Sequence, residues 1–180
     1  QRKLFGTLYN TYGFFALYAN VDNFNVDKNN VVDISNRSEL DRWILSKLNS
    51  LIQDVTAEYE DYEPHKAARY IEEFVDEHLS NWYIRLSRRR FWKGEMSDDK
   101  KAAYETLSEC LIVLSQLMSP IAPFFADWLY QNLQTSTQAE SVTSSTSVSE
   151  SVHLTNYPKA NTSCIDVDLE KRMEMAQKIS

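Results

Sequence analysis

Asn81-Trp82-Tyr83-Ile84-Arg85-Leu86-Ser87-Arg88-Arg89-Arg90-Phe91-Trp92-Lys93 decides how the chain is read, because it joins the end of a long helical pattern to a run of charge. Upstream of it, Leu86, Trp82, Leu79, Val75, Ile71 and Ala68 recur every three or four positions, the spacing of one helix face. Pro64 suits the first turn of that helix and Gly94 its end. On it, Asn81, Arg85, Arg88 and Trp92 follow i, i+4, i+7, i+11 and share one outer face, while Leu79, Trp82 and Leu86 share another that packs inward.

Working outward, the same periodicity predicts further helices. Residues 2–20 place Leu4, Leu8, Tyr12, Phe15 and Ala19 on one stripe, with Lys3, Thr7, Asn10 and Phe14 opposite. Residues 21–35 read as a loop. A second helix starts at Ser38, which with Asp41 forms a capping-box pattern ahead of Leu40, Ile44, Leu48, Leu51 and Val55, and it ends by Asp61 or Tyr62. Ser97 caps a fourth helix carrying Tyr104, Leu107, Leu111, Leu114 and Leu117, halted at Pro120. A fifth follows Pro123 through Phe124, Trp128, Leu129 and Leu133. Short connections between long helices predict an all-α fold, an antiparallel helical bundle of about five helices over residues 1–133.

Residues 134–151 hold eleven Ser or Thr and almost nothing to bury, so they are expected to be a flexible linker or loop. Residues 152–180 form a C-terminal extension, with Val152-His153-Leu154 as a short extended segment and a truncated helix from Asp166 or Asp168.

The thirteen residues quoted above hold five cations and four aromatics without one acid, and the rest of the chain has 14 Lys+Arg against 26 Asp+Glu. Two readings stand side by side. Cations at a helix C-terminus complement the macrodipole and pair with nearby acids. Interleaved guanidinium forks and flat rings also suit RNA, the first binding phosphates and the second stacking on unpaired bases. Cys110 and Cys164 show no paired spacing, and His65, His78 and His153 are scattered, so neither a disulfide nor a metal site is expected. With no apolar run of about 18 residues, the chain reads as a soluble, cytoplasmic protein and as an excised piece of a larger one. No phosphate-binding loop, nucleophile elbow or metal-binding helix motif is found, so catalysis within these residues is not expected.

Four blocks carry a more specific signal: Asp41-Arg42-Trp43-Ile44-Leu45-Ser46-Lys47-Leu48-Asn49, then Asn81–Trp92, then Ser119-Pro120-Ile121-Ala122-Pro123-Phe124, and Ser151-Val152-His153-Leu154. In this order they resemble the anticodon-binding region of isoleucyl-tRNA synthetases, class I ligases that activate isoleucine with ATP and Mg²⁺ and transfer it to tRNA. The valyl branch shares the Arg-Trp-Ile-Leu-Ser block but differs at Asn81–Trp92. The His-Ile-Gly-His and Lys-Met-Ser-Lys-Ser signatures are absent, so the resemblance implies the tRNA-docking module alone. ATP and Mg²⁺ are then expected in the parent's catalytic domain, with no cofactor here, and the partners are isoleucine tRNA and the remainder of a monomeric synthetase.

The candidate tRNA-binding residues are Arg85, Arg88, Arg89, Arg90, Trp92 and Lys93, with Lys3, Asn10 and Phe14 as a second surface. Gly13 stands where the family often has Arg. Arg89, following Trp82 and Leu86, is expected on the packing side, held by an acid. Of Phe91 and Trp92, one is expected to stack on a base and the other to pack beneath Gly94. Trp43, Trp82 and Trp128 sit in apolar stripes and are expected in the core. The alternatives are a helical protein-interaction module whose Arg/aromatic stripe meets a partner, or the equivalent domain of a valyl-type paralogue.

Overall fold

The computed structural model describes residues 2–26, 30–136 and 150–179. Six continuous helices make up the described part. They are α1 (Arg2–Val21); α2 (Glu39–Glu60); a long helix running through α3 (Pro64–Glu73), a π-helical stretch (Phe74–Ile84) and α4 (Arg85–Trp92); α5 (Asp98–Met118); α6 (Pro123–Ser136); and α7 (Val167–Ile179). Local chemistry sets most of the starts. Ser38 and Asp41 close a reciprocal capping box on α2, Pro64 opens α3, and the Ser97 hydroxyl accepts from the Lys100 amide at the head of α5.

The helices alternate in direction. Lys3 meets Asp76 and Phe14 meets Phe91, so α1 runs parallel to the long helix, while Asp22 meets Lys100 and Tyr104, so α1 and α5 are antiparallel. Between them Leu8, Phe15, Trp43, Ile44, Leu48, Leu79, Tyr83, Tyr104, Leu107, Leu111 and Leu114 are buried in one core. The ammonium of Lys100 is buried as well, 2.6 Å from Asp22 and donating to the Lys93 carbonyl. It ties the ends of α1 and α4 to α5. The C-terminal extension packs on α2: Leu169 is buried, Asp166 donates its amide to the Ser46 hydroxyl at 2.8 Å, and Asn161 donates its own to Asn49 Oδ1 at 2.7 Å.

Three sequence expectations need correction. Leu86 is 53% exposed and Trp82 half-buried; the inward stripe after Leu79 is instead Tyr83, Ile84, Ser87 and Phe91. The cause is the π-helical stretch, whose i→i+5 winding delays the buried face by one position relative to an α-helix. Trp128 lies at the surface, 37% exposed, with its indole stacked on Tyr9 at 5.6 Å. Val152–Leu154 is a 3₁₀ turn, not an extended segment. Asp127 Oδ1 accepts from the Val152 amide at 3.0 Å and the Ser151 hydroxyl at 2.6 Å, folding the chain so that Val152 enters the core. The expected linker at 134–151 is helical at its start, since α6 runs to Ser136, and its residues 137–149 lie outside the described residues.

Gly6 and Gly13 lie inside α1 with open space where a Cβ would stand, so Gly6→Ala and Gly13→Ala should each raise unfolding stability by about 0.5–1 kcal/mol in urea titrations. His78 sits edge-on to Trp43 and Phe74 with its Nδ1 buried and unpartnered. Burial, with Lys47 adding to it, pushes its pKa down to about 4. Between that value and the ordinary 6.5 the unfolded chain binds a proton that the folded chain does not, so stability should fall as pH drops through this window. The loss is on the order of 2–3 kcal/mol. Thermal melts from pH 7 to 4.5 should show that decline, and His78→Gln should flatten it.

Candidate nucleic-acid interface

Within α4 the residues Arg85, Arg88, Arg89 and Trp92 follow i, i+3, i+4, i+7, and all four are exposed on one face. Ser87 and Phe91 occupy the opposite face and are buried. The ring of Phe91 is held edge-on by Phe14 at 5.1 Å and by Tyr104 at 4.9 Å, so the outer face rests on a rigid floor. Of the aromatic pair, Phe91 packs and Trp92 is free, 58% exposed. Among the described residues, Arg85, Arg88, Arg89 and Lys93 have no ion-pair partner, although the chain is acidic overall.

Arg90 behaves differently from its neighbours. Its Nη1 and Nη2 donate to the two carboxylate oxygens of Asp41 at 2.7 and 2.6 Å, and Nε donates to Asp99 at 3.0 Å. The acid-held arginine expected at Arg89 is therefore Arg90, and Arg89 belongs to the outer face. Counting from Leu79 across the π-helical stretch produced the wrong phase. Counting from Arg85 within α4 produces the right one. Asp41 is fully buried and also accepts from the Tyr83 hydroxyl at 2.7 Å and the Ser38 hydroxyl at 2.7 Å. Burial alone would push its carboxyl up, but the Arg90 fork, with the Tyr83 and Ser38 hydroxyls, holds it below the ordinary aspartate value.

The second candidate surface divides. Phe14, half-buried, borders the α4 face through Phe91, whereas Asn10 is exposed on α1 further from it. Lys3 lies eleven residues from Phe14, about 16 Å along the helix, and its ammonium is paired with Asp76 at 3.0 Å. The structure therefore brings together Arg85, Arg88, Arg89, Trp92 and Lys93, with Phe14 at their edge. Lys3 is not among them.

A cleft of about 470 Å³ lies elsewhere, between α7, α2 and the long helix. Its lining sets three lysines against four glutamates, two of them joined as Lys47–Glu170 and Lys178–Glu174. It does not attract a polyanion. Among the described residues no three His, Cys, Asp or Glu side chains gather as metal ligands, and no helix is long and apolar enough to cross a membrane.

An exposed stripe of guanidinium groups ending in an indole can bind phosphates and stack on a base at once. The packing roles separate in a stability measurement. Arg90→Ala leaves the Asp41 carboxylate buried without its counter-charge and should cost about 3–5 kcal/mol. Arg89→Ala should stay within about 0.5 kcal/mol of the parent in the same urea titrations.

Residues 41–180 match the family model described as the anticodon-binding domain of tRNA ligase. The whole chain is 53% identical to part of the isoleucine–tRNA ligase of Cytophaga hutchinsonii and 52% identical to part of that of Bacteroides thetaiotaomicron, covering 16% and 15% of those proteins. Over 99% of the chain it is 45% identical to the isoleucine–tRNA ligase of Dehalococcoides mccartyi, covering 17% of it. The chain thus spans about a sixth of the length of the curated relatives it matches. A helical bundle with an unpaired cationic and aromatic face, matched over most of its length by that family model, belongs to the anticodon-binding domains of tRNA ligases.

Proposed function

We propose that this bundle docks the anticodon stem-loop of isoleucine tRNA, using Arg85, Arg88, Arg89 and Lys93 on phosphates and Trp92 as a stacking platform for an unpaired base. The observation that carries this reading is the set of exposed cations on α4 that, among the described residues, have no carboxylate partner in an acidic chain. Structural arginines find acids, as Arg37 and Arg90 do here; cations left unpaired beside an exposed indole fit a polyanion with bases. Phe14 and Asn10 extend the surface along α1. The choice of isoleucine tRNA is supported by the relatives, which are isoleucine–tRNA ligases.

On this reading the bundle is one part of a cytoplasmic, monomeric isoleucine–tRNA ligase. ATP, Mg²⁺ and isoleucine are handled by portions of the synthetase beyond these residues, and the bundle itself performs no chemistry.

The test is tRNA binding by a full-length synthetase carrying this bundle. Arg88→Ala should weaken binding by about 1–3 kcal/mol and reduce the slope of log K against log salt by about 1, because one phosphate contact and its released counterion are lost. Trp92→Ala should cost about 1–3 kcal/mol with the slope unchanged, as stacking releases no counterion. Unchanged affinity in both variants would remove α4 as the docking face. Salt-independent binding would favour a protein partner instead.

A further inference from the structure

We propose that Asp41 is a positioning residue for tRNA recognition: its buried carboxylate selects which of three adjacent arginines turns inward, and so fixes which two are offered to RNA. The proposal rests on the docking role given above.

Successive residues of a helix point about 100° apart, so Arg88, Arg89 and Arg90 cannot all face outward. Burial of Ser87 and Phe91 sets the inward side of α4, but the Ser87 hydroxyl has no hydrogen-bond partner among the described residues, and apolar contact by itself tolerates a small rotation. A planar guanidinium fork meeting both oxygens of a carboxylate does not tolerate it. At 2.7 and 2.6 Å, the Arg90–Asp41 pair has that two-bond geometry.

The carboxylate is itself immobilised. Oδ1 also accepts from Tyr83 in the π-helical stretch, and Oδ2 from the Ser38 hydroxyl and amide at the head of α2. Donors on three separate segments therefore converge on one group with no exposed surface. Arg90 then closes onto α5 through Asp99, at 2.9 Å to its carboxylate and 2.8 Å to its carbonyl. Asp41 touches no part of the outer face. It acts by holding Arg90 at the side of α4, which leaves Arg88 and Arg89 straddling the line from Arg85 to Trp92.

The experiment uses the full-length synthetase with Asp41→Asn, which keeps the shape and removes the charge that grips Arg90. Arg90 retains Asp99 as a partner and can swing outward. The expected result is a KM for tRNA raised roughly tenfold, with isoleucine-dependent ATP–pyrophosphate exchange unchanged. Discrimination between isoleucine tRNA and an anticodon-substituted version should shrink by a similar factor. Adding Arg88→Ala to Asp41→Asn should cost less than Arg88→Ala alone, because Arg88 is already displaced. Arg90→Lys keeps the charge but not the fork. It should melt within a few degrees of the parent and still lose part of the discrimination, which a merely structural role would not produce.

If Asp41→Asn, or Arg90→Lys where the first does not fold, keeps both KM and discrimination while Arg88→Ala loses them, the positioning role is overturned and the docking face stands. If Arg88→Ala also changes nothing, the docking face falls, and this inference with it.

Discussion

A single carboxylate, that of Asp41, is the constraint on which this bundle turns. It caps α2 through Ser38, receives the hydroxyl of the π-helical Tyr83, and grips Arg90 of α4, which reaches on to α5. Taking a carboxylate out of water costs several kcal/mol unless donors replace the water, and here the donors come from the head of α2, the π-helical stretch and α4. The group is thus tolerable only when those segments are all in place. A purely apolar core would accept small slips of one helix along another; this one penalises them.

The chain keeps its charges in separate compartments. Among the described residues its buried or half-buried cations each have a named acid: Glu105 for Arg37 and Lys101, Asp22 for Lys100, Asp41 for Arg90 and Glu170 for Lys47. The cations of the outer α4 face have none among the described residues. Since the protein as a whole carries a net charge of −7, this face is a local inversion of sign. A local inversion of this kind can orient an approaching polyanion before contact.

Much of the fold was legible because its signals are local. Ser38 and Ser97 mark helix starts through a hydrogen bond to the residue three positions on, Pro64 and Pro123 through their fixed φ, and those starts lie where the pattern put them. Val152–Leu154 was misread because its shape depends on Asp127, a residue on another helix. The site was legible as far as composition reaches: cations and aromatics in one short segment. Which arginine packs inward was not, since that is decided by an acid 49 positions away and by a change of helical winding between the two. Nothing in the residue types from Phe74 to Ile84 announces that winding; α and π geometries accept the same side chains, and tertiary packing chooses.

That winding makes the long helix an accumulator of length. A π-helical stretch holds surplus residues without leaving the helix, and it can surrender one by reverting locally to α geometry. In the related synthetases, gains and losses of one residue between positions equivalent to Phe74 and Ile84 would then be invisible in the course of the backbone. The residues downstream would keep their direction, because the change is taken up inside the stretch. A comparison of two such sequences would then need a one-residue gap inside that stretch to keep residues of equal direction in one column.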